Sequence, residues 1–139
     1  SDDAREAIDL IRRSLDILER EYGPEHGEVA TTLGCLGRAY IQLGDRQGIT
    51  MLERALAIEE RVHGTDDLAM AQTLRYLGSA FLDLGSAFLS ALDARKAVVF
   101  LERAWAIKER AYGANSSSLA SILATLGSAY QKLGETQKA

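Results

Sequence analysis

The chain is poor in cysteine, proline and aromatic residues. Its 139 residues include one cysteine, one proline and one tryptophan, and aromatic residues make up 6%. A single cysteine, Cys35, excludes an internal disulfide and favours a reducing compartment. Because Cys35 lies in an apolar helical stretch, we expect it to be a small buried hydrophobe. The scarcity of proline favours uninterrupted helices.

Clusters of basic residues and long apolar runs are also missing. The net charge is −4, whereas affinity for nucleic acids or anionic membranes depends on clustered lysine and arginine. No apolar run approaches the roughly 20 residues needed to cross a bilayer, and the sequence begins Ser-Asp-Asp without a basic and apolar signal segment. We therefore expect a cytoplasmic protein that binds neither nucleic acid nor membrane.

No residues have the spacing of a catalytic or metal-binding motif. The two histidines, His26 and His63, each precede a glycine, and the acids near them lie at helix starts, where carboxylates complement the helix dipole. The sequence has no H-E-x-x-H motif, no paired cysteines and no phosphate-binding loop. We expect no catalytic site, no metal site and no cofactor.

The most informative feature that is present is internal repetition. Three segments read L-G-R-A-Y-I-Q-L-G, L-G-S-A-F-L-D-L-G and L-G-S-A-Y-Q-K-L-G, at 36–44, 77–85 and 126–134. A second repeated segment, which ends in glycine, occupies 13–23, 53–64 and 102–113. Self-similarity at this length is typical of stacked helical repeats.

Apolar periodicity, capping residues and terminal glycines together predict an all-α chain of about six helices. The predicted helices cover 4–22, 28–43, 46–63, 67–84 or beyond, 94–112 and 117–133. The predicted start signals are Asp3, Asp45, Thr65 with Asp66, and Asn115 or Ser116, and the predicted end signals are Gly23, Gly44, Gly64, Gly113 and Gly134.

Three glycines fall inside predicted helices, at the same position of each repeat. They are Gly37, Gly78 and Gly127. Glycine inside a helix costs about 1 kcal/mol relative to alanine, so a steric requirement must offset this cost. We expect each of them to allow close approach of a neighbouring helix.

The order L-G-x-A-Y/F, then L-G-D, then an alanine-containing helix that ends E-R-x-x-G resembles the tetratricopeptide repeat, in the longer form found in kinesin light chains. The resemblance covers 1–139 as one domain and implies a right-handed α-solenoid of antiparallel helix pairs. Its parts are a lone second helix, two repeats and a lone first helix, at 4–22, 28–63, 67–112 and 117–133. It also implies a concave groove, lined by the first helices, that binds a peptide or a partner helix.

Side chains opposite the core positions of the first helices are expected to face that groove. They are Arg38, Gln42, Gln72, Arg75, Ser79, Asp83, Ser128 and Lys132. By resemblance to the family's chaperone-binding clamps, Arg38, Arg75 and Lys132 would pair with an acidic peptide or a terminal carboxylate. A solvated helix face is the alternative interpretation. We predict a non-enzymatic scaffold that binds a protein or a peptide.

The second repeat is enlarged by a tandem duplication, because G-S-A-F-L-D-L at 78–84 is followed directly by G-S-A-F-L-S-A. Seven residues make nearly two helical turns. Three outcomes are open: a fourth helix that extends to Leu92, a continuous helix over 67–112 that exchanges between chains, or an apolar loop. The alternative function is therefore an oligomerisation module, in which Phe88, Leu89 and Leu92 join copies of the chain.

Overall fold

The computed structural model of the protein describes residues 2–64, 68–84 and 91–138. Within these residues the chain forms six α-helices and a short 3-10 helix, and no β-strand. The α-helices are α1 Asp2–Tyr22, α2 Gly27–Gln42, α3 Gln47–His63, α4 Leu68–Leu84, α5 Ala91–Tyr112 and α6 Ala120–Lys138, and the 3-10 helix Ser117–Leu119 precedes α6. The predicted all-α class and the order of the helices are confirmed.

The helices form two compact units, Ser1–Thr65 and Asp66–Ala139. In the first unit α2 packs against both α1 and α3. In the second unit α5 packs against both α4 and α6, and α4 also contacts α6. Each unit therefore contains three helices around a core of its own.

The core of the first unit consists of apolar side chains that recur every three or four residues on one face of each helix. They are Ile8, Leu15, Val29, Ala30, Leu33, Leu36, Tyr40, Ala55 and Ile58. Tyr40 is the polar member of this set, and its hydroxyl accepts hydrogen bonds from Nε of Arg12, at 2.7 Å, and from Nη2 of the same residue. Arg12, which lies on α1, thus provides the hydrogen-bond donors for the hydroxyl group of the buried Tyr40.

The second unit buries the equivalent positions of its helices. Its core includes Met70, Leu74, Leu77, Phe81, Ala97, Leu101, Ala104, Ile107, Leu119, Ile122, Leu126 and Ala129. The alanines on α5 allow α4 and α6 to approach it, so large residues of one helix fit beside small residues of the next.

Four of the predicted terminal glycines do end helices. Gly23, Gly44, Gly64 and Gly113 have φ between 77° and 91°, a left-handed conformation that glycine adopts without steric cost. The prediction for Gly134 is wrong, because α6 continues through it to Lys138. The residues that follow Gly134 include glutamate, glutamine and lysine, all good helix formers, so the helix has no local reason to stop there.

Side-chain caps confirm two of the predicted helix starts. Oδ1 of Asp45 accepts a hydrogen bond from the backbone N–H of Gln47 at 2.9 Å, at the start of α3. Oγ of Ser116 accepts one from the N–H of Ser118 at 3.2 Å, but the turn it caps is the 3-10 helix, and α6 proper begins at Ala120 rather than at 117. The predicted cap at 65 and 66 lies outside the described residues.

The duplicated segment falls partly outside the described residues, since 85–90 are not among them. The helices on either side of it lie next to each other: the ring of Phe81 stacks on that of Phe100 with centroids 5.9 Å apart. In one continuous helix these residues would be about 28 Å apart along the axis. The prediction of a continuous helix over 67–112 is therefore wrong. Leu92 belongs to α5 rather than to an extended α4.

Candidate functional site

A cavity of about 400 Å³ lies between α4 and α6 in the second unit. Its lining consists of Ser79, Leu82, Asp83, Ala124, Thr125, Ser128 and Lys132. Four of these residues are among those that the sequence predicts to face a groove: Ser79, Asp83, Ser128 and Lys132. The volume lies within the range of about 300–1,000 Å³ that is common for ligand pockets.

The helical repeat explains why these four side chains meet. Ser79 and Asp83 are four residues apart on α4, and Ser128 and Lys132 are four apart on α6, so each pair lies on one helix face. The two pairs occupy equivalent positions of successive repeats. The alanine that follows each serine is fully buried in the core, which leaves the serine directed away from it.

The cavity offers both hydrogen-bond donors and acceptors. The two serine hydroxyls donate and accept, the carboxylate of Asp83 accepts, and the ammonium group of Lys132 donates. Leu82 and Ala124 add an apolar part to the lining. Because the charges of Asp83 and Lys132 cancel, this set of side chains does not favour an acidic ligand over a basic one.

Two further predicted residues, Gln72 and Arg75, lie on α4 but do not line the cavity. Nε2 of Gln72 donates a hydrogen bond to the hydroxyl of Tyr76 at 2.7 Å, and the Arg75 guanidinium lies 4.9 Å from the centre of the Tyr76 ring. Nε of Arg75 is buried and has no hydrogen-bond partner among the described residues. The sequence reasoning missed Tyr76, although its position four residues after Gln72 indicates a shared face.

The remaining predicted residues, Arg38 and Gln42, lie on α2 in the first unit, where both are exposed. Cys35 lies on the same face and is also exposed, so the expectation that it is buried is wrong. The core face of α2 carries Leu33, Leu36 and Tyr40, and the helical repeat places Cys35 on the opposite side.

One tyrosine contact occurs in both units. In the first, Tyr40 is bonded to Arg12, and in the second the hydroxyl of Tyr130 donates to Oε1 of Glu102 at 2.5 Å. Both partners are 28 residues before the tyrosine. The hydrogen bond to Glu102 raises the pKa of Tyr130 above its ordinary value of 10.0, and loss of solvation and the negative charge of the carboxylate raise it further.

A second cavity, of about 390 Å³, has both histidines in its lining. Nδ1 of His26 accepts a hydrogen bond from the backbone N–H of Glu28 at 3.0 Å, and its ring stacks on Tyr22 with centroids 4.5 Å apart. His26 therefore caps α2, a role that the sequence reasoning had not assigned to it. In the described part of the chain, histidine, cysteine and acidic side chains do not form a group of three or more that could hold a metal ion.

Among the helices of residues 2–64, 68–84 and 91–138, none combines the length and the apolar composition that crossing a lipid bilayer requires.

Known proteins provide an independent comparison. Two models of the tetratricopeptide repeat match residues 1–48 and 29–69. The fold is similar to that of BtubC (BKLC) from P. vanneervenii, with a TM-score of 0.81 and 24% identity over 98% of this chain and 52% of the other. It is also similar to a putative kinesin light chain from Podosopora anserina with nearly identical TPR-like repeats, with a TM-score of 0.82 and 23% identity over 97% of this chain and 61% of the other. No curated protein sequence matches significantly.

The chain thus spans between half and two thirds of the length of these two structures. Tetratricopeptide repeats generally mediate protein–protein interaction, and the proteins that contain them are typically non-enzymatic scaffolds. Models of the tetratricopeptide repeat thus match the first 69 residues, and nearly the whole chain has a fold like that of kinesin-light-chain repeats.

Proposed function

We propose that the second unit binds a segment of a partner protein in the groove between α4 and α6. The observation that supports this proposal is the cavity of about 400 Å³ whose lining includes Ser79, Asp83, Ser128 and Lys132. These residues come from equivalent positions of two repeats, so each of the two helices presents a serine and, four residues further on, a charged side chain to the groove. An extended peptide has a regular spacing of backbone donors and acceptors that suits such a pattern.

The opposite charges of Asp83 and Lys132 indicate what kind of peptide the cavity can bind. Lys132 favours a carboxylate of the bound segment, whereas Asp83 favours a basic side chain or a backbone N–H. Arg75, whose buried Nε lacks a hydrogen-bond partner in the described structure, adds a cation further along α4. We therefore propose a segment of mixed charge rather than a purely acidic peptide, with Gln72 and Arg75 as a second contact region of the second unit. In the first unit Arg38 and Gln42 occupy the positions equivalent to Ser79 and Asp83, and we propose them as a contact surface of that unit.

A displayed library of random peptides, selected on the immobilised chain, provides a ligand for a direct test. The dissociation constant of a selected peptide is then measured by fluorescence anisotropy for the wild type and for Ser128→Arg, which fills the cavity, and Lys132→Ala, which removes a donor. We expect Ser128→Arg to weaken binding by about tenfold or more, which is about 1.4 kcal/mol, and Lys132→Ala to weaken it less.

Ala106→Arg is a matched control, because Ala106 is exposed on α5 and does not line the cavity. It should leave the dissociation constant unchanged. Equal binding by the wild type and Ser128→Arg would show that the peptide binds elsewhere, and failure to select any peptide would contradict the proposal.

Self-association through the duplicated segment is the second candidate function. Leu92 is 61% exposed at the start of α5, and Phe88 and Leu89 lie outside the described residues. If this segment joins two copies, Leu92→Asp lowers the mass measured by light scattering. Val99→Asp, at a position that is 56% exposed on the same helix face, should leave that mass unchanged.

We also propose a cytoplasmic location. The single cysteine has its thiol exposed on α2, and exposed unpaired thiols persist in reducing compartments. Fluorescence microscopy of the tagged protein in its own cells tests this proposal, and a signal confined outside the cytoplasm would contradict it.

A further inference from the structure

The first turn of α2 is capped by a histidine that can act as a cap only when its ring is uncharged. His26 has the extended backbone of an N-cap residue, with φ −91° and ψ 149°. Its Nδ1 accepts a hydrogen bond from the backbone N–H of Glu28 at 3.0 Å. An imidazole nitrogen accepts through its lone pair, so Nδ1 carries no proton and the hydrogen of the neutral ring is on Nε2.

The backbone around this cap makes the Glu28 amide dependent on the ring. The N–H groups of Val29 and Ala30 both donate to the carbonyl oxygen of His26, at 3.0 Å and 3.1 Å. The first amides of a helix have no partner within the helix itself, and in the described structure the Glu28 amide donates to the imidazole instead. Val29 and Ala30 are buried, so the capped turn is the one by which α2 enters the core of the first unit.

Groups of both charges surround the ring. Tyr22, at the end of α1, stacks on it with ring centroids 4.5 Å apart and an interplanar angle of 20°. Arg61 of α3 forms an ion pair with Glu25 at 3.0 Å. His26 is exposed, so protons of the solvent reach its ring directly. The titratable and charged groups around the ring, from α1, the loop, α2 and α3, are Tyr22, Glu25, Glu28, Arg61 and His63.

We propose that His26 is a proton-sensitive cap, which closes the first turn of α2 when its ring is neutral and releases it when the ring is protonated. A protonated imidazole carries hydrogen on both nitrogens and is only a donor. The proton that binds Nδ1 therefore takes the lone pair that the Glu28 amide uses, and the amide and the ring then face each other as two donors. The positive end of the helix dipole also repels an imidazolium at this position.

The protonated ring has other partners in the same cavity. It can turn away from the amide and donate to the carboxylate of Glu28 or of Glu25, and the face of the Tyr22 ring attracts a cation. Of the two carboxylates, Glu25 already has Arg61 as a partner, which favours Glu28. The loop before α2 therefore has two arrangements, one for each charge state of His26.

The release of this turn changes a surface of the first unit. Gly27, Glu28 and Thr31, all in the first turns of α2, line the cavity of about 390 Å³ that also contains both histidines. The shape of this cavity therefore depends on the charge of His26. The groove between α4 and α6 belongs to the second unit and is not part of this switch.

Nuclear magnetic resonance of the ¹⁵N-labelled chain tests the proposal. The side-chain nitrogens of His26 should show hydrogen on Nε2 alone at about pH 8 and on both nitrogens at about pH 5, since histidines change charge between these values. Over the same range the Glu28 amide should lose protection against hydrogen exchange, relative to an unstructured peptide at the same pH. We expect a loss of about tenfold, which corresponds to a cap of typical strength.

Substitutions at the two histidines separate the cap from other effects of pH. His26→Asn keeps an oxygen acceptor that does not titrate, and His26→Ala has no acceptor. Protection of the wild-type Glu28 amide should match that of His26→Asn at about pH 8 and that of His26→Ala at about pH 5. His63→Gln, which removes the other histidine of the cavity, is the matched control and should behave like the wild type. Circular dichroism of each variant checks that its helices have formed.

Three results would overturn the proposal. They are a neutral His26 with its hydrogen on Nδ1, a Glu28 amide whose protection is unchanged once His26 is protonated, and equal protection of this amide in His26→Asn and His26→Ala. A pH effect that disappears in His63→Gln would likewise contradict it, because the proton would then act at His63.

Discussion

A methyl group added at Gly78 would meet Leu101, whereas one added at Gly127 would meet nothing. The two glycines have the same local sequence, L-G-S-A, and the same position in the repeat. Glycine has a high conformational entropy cost in any helix. Of these two glycines, only Gly78 allows a close helix contact that offsets the cost. The energetic role of a repeated residue therefore depends on the helix opposite it.

Substituting both glycines by alanine should change stability in opposite directions. Gly78→Ala should lower the free energy of unfolding by about 1–3 kcal/mol, since the added methyl group overpacks the contact with Leu101. Gly127→Ala should raise it by up to about 1 kcal/mol through helix propensity. Urea unfolding followed by the fluorescence of Trp105, in the same unit, measures both. Two shifts of the same sign would contradict the packing argument.

The hydrogen bond between Tyr130 and Glu102 should make the stability of the folded chain depend on pH. The pKa of Tyr130 is raised above 10.0 in the folded chain, so the contribution of this contact is fully present below pH 10.0 and is lost as the pH rises through the raised value. In Glu102→Gln the pKa of Tyr130 should fall towards 10.0. The pH dependence of the tyrosine ¹³Cζ chemical shift, assigned with Tyr130→Phe, measures this change, and identical midpoints in the wild type and Glu102→Gln would contradict it.

At the level of the helix, capping at Asp45 should contribute measurably to stability. Asp45→Ala removes the acceptor for the N–H of Gln47, and loss of such a cap costs about 0.5–2 kcal/mol. Asp45→Asn keeps an oxygen acceptor and should lie close to the wild type. Urea unfolding followed by circular dichroism compares the three proteins. If both substitutions are equally destabilising, the charge of Asp45 rather than its hydrogen bond is responsible.

Local signals were sufficient to predict most helices of this chain. Apolar periodicity, the acceptor at Asp45 and the glycines with left-handed conformation act within one or two turns, so the sequence alone reveals them. Gly134 stands between a leucine and an acidic residue, as Gly44 does, but α6 continues through it. Cys35 lies in an apolar stretch, but on the exposed side of α2. The first error arose because the helix-forming residues after Gly134 were not weighed against the glycine, and the second because the side of α2 on which Cys35 lies was not considered.

The candidate groove was partly predictable for a similar reason. The helical repeat places Ser79 and Asp83 on one face, and the repeat period places Ser128 and Lys132 on the equivalent face of α6, so sequence reasoning identified all four. It did not predict that Arg75 lies against Tyr76, or that Asp83 balances the charge of Lys132 in one cavity. These facts depend on side-chain conformation and on the distance between helices, which a sequence pattern does not contain.

At the level of the whole molecule, two kinds of contact between neighbouring helices recur within the units. Tyr40 on α2 and Tyr130 on α6 each form a hydrogen bond with a side chain of the preceding helix. Gly37 on α2 and Gly78 on α4 each lie against a leucine of the following helix. The helix α6 has the first kind of contact without the second. Repeat stability is approximately the sum of each repeat and its interfaces, so each of these contacts adds to the stability of the unit in which it lies.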